Sequence, residues 1–104
     1  MVVKILHLTL LKKWFDDIYA GVKKEEYRTI KPYWERRLIG KTYTHILFRN
    51  GYQKNARQFL IELKSVRQGP GRVEWGAPAN ENLFVLSLGE IVKAQQPHSR
   101  NDSK

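Results

Sequence analysis

The sequence predicts an α+β fold in which five or six short strands and two helices form a curled sheet or small barrel. Three observations lead there. Five segments carry short apolar runs or period-two alternation. One segment between the first two carries the helical spacing i, i+3, i+4, i+7, i+8. A proline then stands where a second short helix would begin.

Residues 2–10 read as a buried strand. Leu6, Leu8 and Leu10 share one face, with Ile5, His7 and Thr9 on the other. Leu11, Trp14, Phe15, Ile18 and Tyr19 form the apolar stripe of a helix whose Lys12, Lys13, Asp16 and Asp17 face water. Thr9 or a neighbour is placed to cap its start, and Gly21 stands at its C-terminal end. Residues 24–30 suit a strand with Glu26, Arg28 and Ile30 on one face and Glu25, Tyr27 and Thr29 on the other. Pro32 opens a helix reaching Leu38. Residues 43–49 form a third strand, and Asn50-Gly51 signals a tight turn after it. Residues 58–66 form the fourth strand, with Phe59, Ile61 and Leu63 alternating, up to Gly69-Pro70-Gly71. Residues 83–88 form the last strand, which Gly89 is read to terminate.

A length of 104 residues suits one domain. We expect it over residues 1–92, followed by a flexible polar tail over 93–104. The absence of cysteine excludes a disulfide scaffold, a Cys-ligated zinc site and a cysteine nucleophile. No apolar run approaches the ~18–20 residues of a spanning helix, so no membrane partner is expected. The first residues lack a basic n-region and a small-residue cleavage site, and a cytoplasmic protein is the expectation.

The net charge is +9, and residues 1–92 keep +7, so the positive charge belongs to the domain. Such a surface favours polyanions, nucleic acid first among them, although it also serves solubility.

Three clusters carry candidate chemistry. In Gly21-Val22-Lys23-Lys24-Glu25-Glu26-Tyr27-Arg28 a helix ends on glycine and a strand starts at once with charged residues. Glu26 and Arg28 project from one strand face, either as a surface ion pair or as an acceptor and bidentate donor lining a cleft. Lys31-Pro32-Tyr33-Trp34-Glu35-Arg36-Arg37 interleaves aromatic and basic residues, which suits nucleic acid or packing of the short helix onto the sheet. Arg49-Asn50-Gly51-Tyr52-Gln53-Lys54 flanks its turn with a cation and an aromatic, a pair able to stack on a base and contact phosphate.

His7, His45 and His98 show no metal-ligand spacing. No glycine-rich nucleotide loop, P-loop or Gly-x-Ser-x-Gly elbow occurs, and Ser65 and Ser87 have no evident base nearby. Neither a metal nor a cofactor is expected.

The N-terminal Leu-x-Leu strand, the Trp/Phe helix and the segment Gly21-x-Lys23-x-x-Glu26-x-Arg28 together resemble the ASCH (activating signal cointegrator homology) domain of the PUA-like superfamily. Phe48-Arg49-Asn50-Gly51-Tyr52 and Phe84-Val85-Leu86-Ser87-Leu88-Gly89 extend the resemblance to small bacterial and phage members, over residues 3–91. The resemblance implies a PUA-like small β-barrel of about five to six strands with two helices. It also implies a cleft beside the Gly-x-Lys-x-x-Glu-x-Arg segment that takes RNA or a nucleotide. Glu26 and Arg28 would then face that cleft, with Lys23 at its rim.

One branch of that family hydrolyses the amide of N4-acetylcytidine with a lysine, a threonine three residues later and a distant glutamate. Lys23 matches the lysine and Glu74 matches the glutamate by position alone. The threonine position holds Glu26, and a carboxylate does not replace a hydroxyl nucleophile without a change of mechanism.

The leading expectation is a module binding single-stranded RNA or a nucleotide. Lys23, Glu26 and Arg28 would lie on one side of the ligand and Arg49, Asn50 and Tyr52 on the other. Lys31, Arg36, Arg37, Lys54 and Arg57 would add longer-range attraction. The alternative is a small hydrolase of a modified nucleoside or of RNA, with Lys23 and Glu26 as its reacting pair. A third reading is a protein-interaction domain whose basic surface meets an acidic partner.

Overall fold

The alternating leucines of β1 (Ile5–Leu10) fold as their period dictates, with Leu6, Leu8 and Leu10 all buried on one face. The structure is a computed structural model and describes residues 2–95. The chain continues through α1 (Lys12–Tyr19), β2 (Glu25–Thr29), α2 (Pro32–Leu38), β3 (His45–Asn50) and β4 (Gln58–Gly69). A single 3₁₀ turn (Val73–Trp75) leads into β5 (Leu83–Gln95). The strands form one sheet in the order β1-β3-β4-β5-β2, with β1 and β3 parallel and the other neighbours antiparallel.

The long strands β4 and β5 pair with shifts of register between Leu60 and Ser65, which bend the ribbon. The result is an α+β curled half-barrel, consistent with a small PUA-like barrel, and both helices contribute to its inner face. Phe15 and Ile18 of α1 and Leu38 of α2 join Phe48, Phe59, Ile61 and Phe84 of the strands in one core. Phe15 packs edge-on against Phe59 with ring centres 4.8 Å apart. A smaller cluster of Tyr27, Ala77, Leu83 and Val85 lies on the other side of β2 and β5, with Trp75 against it.

Four expectations are corrected. The first strand starts at Ile5, not at Val2. The cap of α1 is Leu11, which makes no side-chain cap hydrogen bond, so Thr9 does not cap it. Thr9 is held within β1 because that strand pairs with β3 as far as Leu10. The Asn50-Gly51 turn is not a tight hairpin, since β4 begins only at Gln58. Gly51 does adopt φ +96° there, but Asn50 N–H bonds back to the carbonyl of Arg57 at 2.9 Å, which closes a longer loop.

Gly89 does not end the last strand. β5 runs through it to Gln95 and so takes in residues 93–95. A side chain at Gly89 would lie 2.6 Å from Glu62 Oε1 and 3.0 Å from Glu62 Cβ, so this glycine serves a close approach between strands. The rest of the expected tail, residues 96–104, lies outside the described residues, as does His98. Gly21 takes the left-handed conformation expected after a helix, with φ +80°.

Among the described residues no helix is long and apolar enough to cross a membrane.

Candidate functional site

β2 is the last strand of the sheet, and its alternation sets the site. Glu26 stands opposite Leu86 and Arg28 opposite Phe84, so both side chains share the inner face with the main core. Tyr27 points the other way, into the smaller cluster. A carboxylate on an apolar face must be compensated, and Glu26 is compensated twice. Its Oε2 lies 2.7 Å from Arg28 Nη1 and its Oε1 lies 3.3 Å from Lys23 Nζ. The side chains of Lys23, Glu26 and Arg28 are 1%, 6% and 19% exposed. That burial overturns the surface-pair reading of Glu26 and Arg28.

Lys23 arrives just before β2 and folds its amine inward. Its Nζ donates to the carbonyl of Trp75 and sits 4.7 Å and 5.0 Å from the ring centres of Tyr27 and Trp14. Desolvation pushes the Lys23 amine below the usual lysine range, and the neighbouring Glu26 carboxylate opposes the shift. Tyr27 donates to Glu25 Oε1 at 2.8 Å and accepts the N–H of Arg72 at 3.0 Å. Burial first, and then the Glu25 contact, push its phenol up to about 12.

Arg28 faces two ways. Beyond Glu26, its Nη2 donates to the Thr9 carbonyl at 3.3 Å, and its guanidinium lies 5.1 Å from the Trp34 ring centre. Arg37, on α2, makes a parallel arrangement. It donates to the His7 carbonyl at 3.3 Å and to the Tyr33 hydroxyl at 3.2 Å, and lies 5.6 Å from the Trp34 ring centre. Both arginines thus bond to carbonyls two residues apart on β1, the strand that ends the sheet opposite β2. Arg28 thereby bridges the open side of the curl from β2, and Arg37 ties α2 to β1 beside it.

A groove of about 360 Å³ opens above this bridge, lined by His7, Leu8, Thr9, Arg28, Tyr33, Trp34, Arg37 and Tyr52. The rings of Tyr33, Trp34 and Tyr52 and two guanidinium groups face one space, and among the described residues no carboxylate lines it. The Nε atoms of Arg28 and Arg37 are buried with no hydrogen-bond partner among the described residues.

Of the residues expected to bind the ligand, the groove brings together Arg28, Arg37 and Tyr52, and it adds Tyr33 and Trp34 from the aromatic and basic cluster. Lys23 and Glu26 lie behind it, enclosed, and do not line it. Arg49 donates to the Gln53 carbonyl at 2.6 Å and Asn50 uses its backbone to close the loop; neither lines the groove. Arg36 is exposed on α2, Lys31 is exposed at its N-cap, and Lys54 is exposed on the loop beside Tyr52. Arg57 pairs with Asp16 at 3.2 Å. Glu74 pairs with Arg72 at the surface, not with Lys23. Trp75 packs on the smaller cluster and does not cap the groove.

The sequence alone divides Tyr33 and Trp34 between packing and binding, and gives His7 no metal-ligand spacing. Their place in the groove depends on α2 lying against β1, which no local pattern encodes. Thr9 and His7 act through backbone carbonyls, which leave no side-chain signature. Among the described residues no cluster of His, Asp and Glu is arranged to hold a metal ion. No family model, curated protein or solved structure matches the chain.

Proposed function

We propose that this chain is a binding module that takes an unpaired nucleotide, free or within single-stranded RNA, into the groove between β1 and α2. The lining carries the reading: aromatic rings provide faces on which a base stacks, and guanidinium groups beside them attract phosphate. The volume lies within the roughly 300–1,000 Å³ of small-ligand sites. Charge around the groove supports it too. Lys31, Arg36, Arg37, Arg49 and Lys54 have no carboxylate within ion-pair distance among the described residues, whereas Lys12, Lys13 and Arg57 are matched by Asp16 and Asp17. Unmatched cations thus flank the groove on the α2 segment and on the loop carrying Tyr52, although Lys4, Lys24, Lys41 and Lys64 are also without a carboxylate among the described residues.

In this reading the Gly21-x-Lys23-x-x-Glu26-x-Arg28 segment, which resembles that of ASCH domains, acts through Arg28. Glu26 holds that arginine against the groove floor, and Lys23 holds Glu26. The hydrolase alternative gives the chemistry to Lys23 and Glu26. The Lys23 amine is enclosed by Trp14, Tyr27, Glu26 and the Trp75 carbonyl, and this favours binding over turnover.

Fluorescence anisotropy of a labelled single-stranded RNA tests the proposal. Tyr52→Ala is the informative variant, because this side chain is 89% exposed and supports no packing. Weakened binding supports the groove; unchanged binding by a variant that is folded refutes it.

A further inference from the structure

The second half of β4 has a neighbour on one side only. β3 pairs with β4 as far as Glu62, and the last backbone link runs from Leu63 N–H to the Thr44 carbonyl at 3.0 Å. From Lys64 to Gly69 the strand keeps β5 on one edge and, among the described residues, has no strand along the other. Residues 64–68 are exposed without a break. Unpaired N–H and C=O groups on such an edge are a template for another strand.

This edge borders a cavity of about 460 Å³. The turn after α2 forms its far wall, so the space is a slot rather than open surface. Leu38, Ile39, Val66 and Phe84 give it apolar walls, and Lys41 and Arg67 are its cations. Among the described residues no carboxylate lines it. Val66 stands opposite Leu86 and shares the inner face with Phe84, while Arg67 stands opposite Val85 and projects from the other face. Arg67 is held by Glu25 only at 3.6 Å, and Lys41 has no acidic partner within ion-pair distance among the described residues.

We propose that the Lys64–Gly69 edge of β4 docks an extended acidic segment of a partner protein as an added strand. Alternate side chains of that segment are apolar and enter the slot against Val66, Ile39 and Phe84. The side chains between them are carboxylates that meet Arg67 and Lys41. The cations set the choice of partner. A second copy of this edge would bring its own Lys64 and Arg67 and no carboxylate, so it leaves these cations unmatched and adds like charge. An acidic strand reverses that sign and gains the backbone hydrogen bonds of strand addition. α2 separates this slot from the nucleotide groove: Leu38 lines the one and Arg37 the other, and the two share no lining residue. The inference therefore stands apart from the proposed function.

The test is a nuclear magnetic resonance titration of the full chain with the peptide acetyl-Asp-Ile-Glu-Val-Asp-Ile-Glu-amide. Expected are amide shifts concentrated at residues 64–69 and 39–41. The double variant Lys41→Glu/Arg67→Glu should weaken binding by about tenfold or more. It should also gain binding of the same peptide with lysine at the acidic positions. Lys41→Glu alone leaves the Arg67–Glu25 contact intact and should weaken binding several-fold. No binding, shifts centred on the nucleotide groove, equal binding of both peptides to the wild-type chain, or an unchanged Lys41→Glu variant would each overturn the proposal.

Discussion

Arg28 Nη1 lies 2.7 Å from Glu26 Oε2, while the other terminal nitrogen of the same guanidinium reaches the Thr9 carbonyl. One side chain therefore joins a buried carboxylate on β2 to the backbone of β1, across the open side of the curl. Glu26 is the anion of that arrangement and faces two cations, Arg28 and Lys23. Glu26→Gln keeps the size and removes the charge. We expect a loss of about 3 kcal/mol, the scale for removing one partner of a buried ion pair. Urea denaturation measures it, and a loss under about 0.5 kcal/mol, the range of ordinary surface changes, would mean the triad is not enclosed in solution.

Tyr27 sets the alkaline limit. Its pKa is raised to about 12 from the ordinary 10.0, so above pH 10 the unfolded chain gives up this proton before the folded one. The folded state then binds more protons, and stability falls as pH rises from 10 to 12. Lys23 acts with the opposite sign. Its folded pKa is lowered, so its contribution rises with pH from that lowered value up to 10.5. Tyr27→Phe should flatten the fall between pH 10 and 12, a difference on the order of 2 kcal/mol across the window. Denaturation midpoints of both chains over that range check it. Parallel curves would show that another group causes the fall.

Much of this was legible in the amino-acid order, for identifiable reasons. The helix Pro32–Leu38 was readable residue for residue because proline fixes its start. The shared face of Glu26 and Arg28 followed from period two alone. Their burial did not, since it depends on β5 lying alongside with Leu86 and Phe84 opposite them, a pairing of segments far apart in the chain. Gly89 shows the limit most clearly. Glycine after an apolar run reads as a stop, yet here it is the residue that lets Glu62 of the neighbouring strand come close.

Gly89→Ala tests that reinterpretation. An added Cβ meets Glu62 Cβ at 3.0 Å, and backbone-anchored atoms yield less readily than a flexible tip. We expect a loss of about 1–3 kcal/mol, the scale of overpacking, and faster amide exchange along residues 89–95. If glycine merely ended the strand, alanine would be neutral or slightly stabilising.

The groove makes two separable demands on RNA binding. Tyr52→Ala removes a stacking face and should weaken binding by about 1–3 kcal/mol with the salt dependence unchanged. Arg36→Ala and Lys31→Ala remove exposed cations that do not line the groove. For these, affinity should fall modestly for every RNA sequence, and the slope of log K against log salt should flatten by about 0.7 for each phosphate that the variant no longer neutralises. Anisotropy titrations over a range of salt separate the two effects. The discriminating result is the pattern. If Tyr52→Ala changes nothing while the cation variants flatten the slope, the RNA is held by the basic surface alone and the groove belongs to some other ligand.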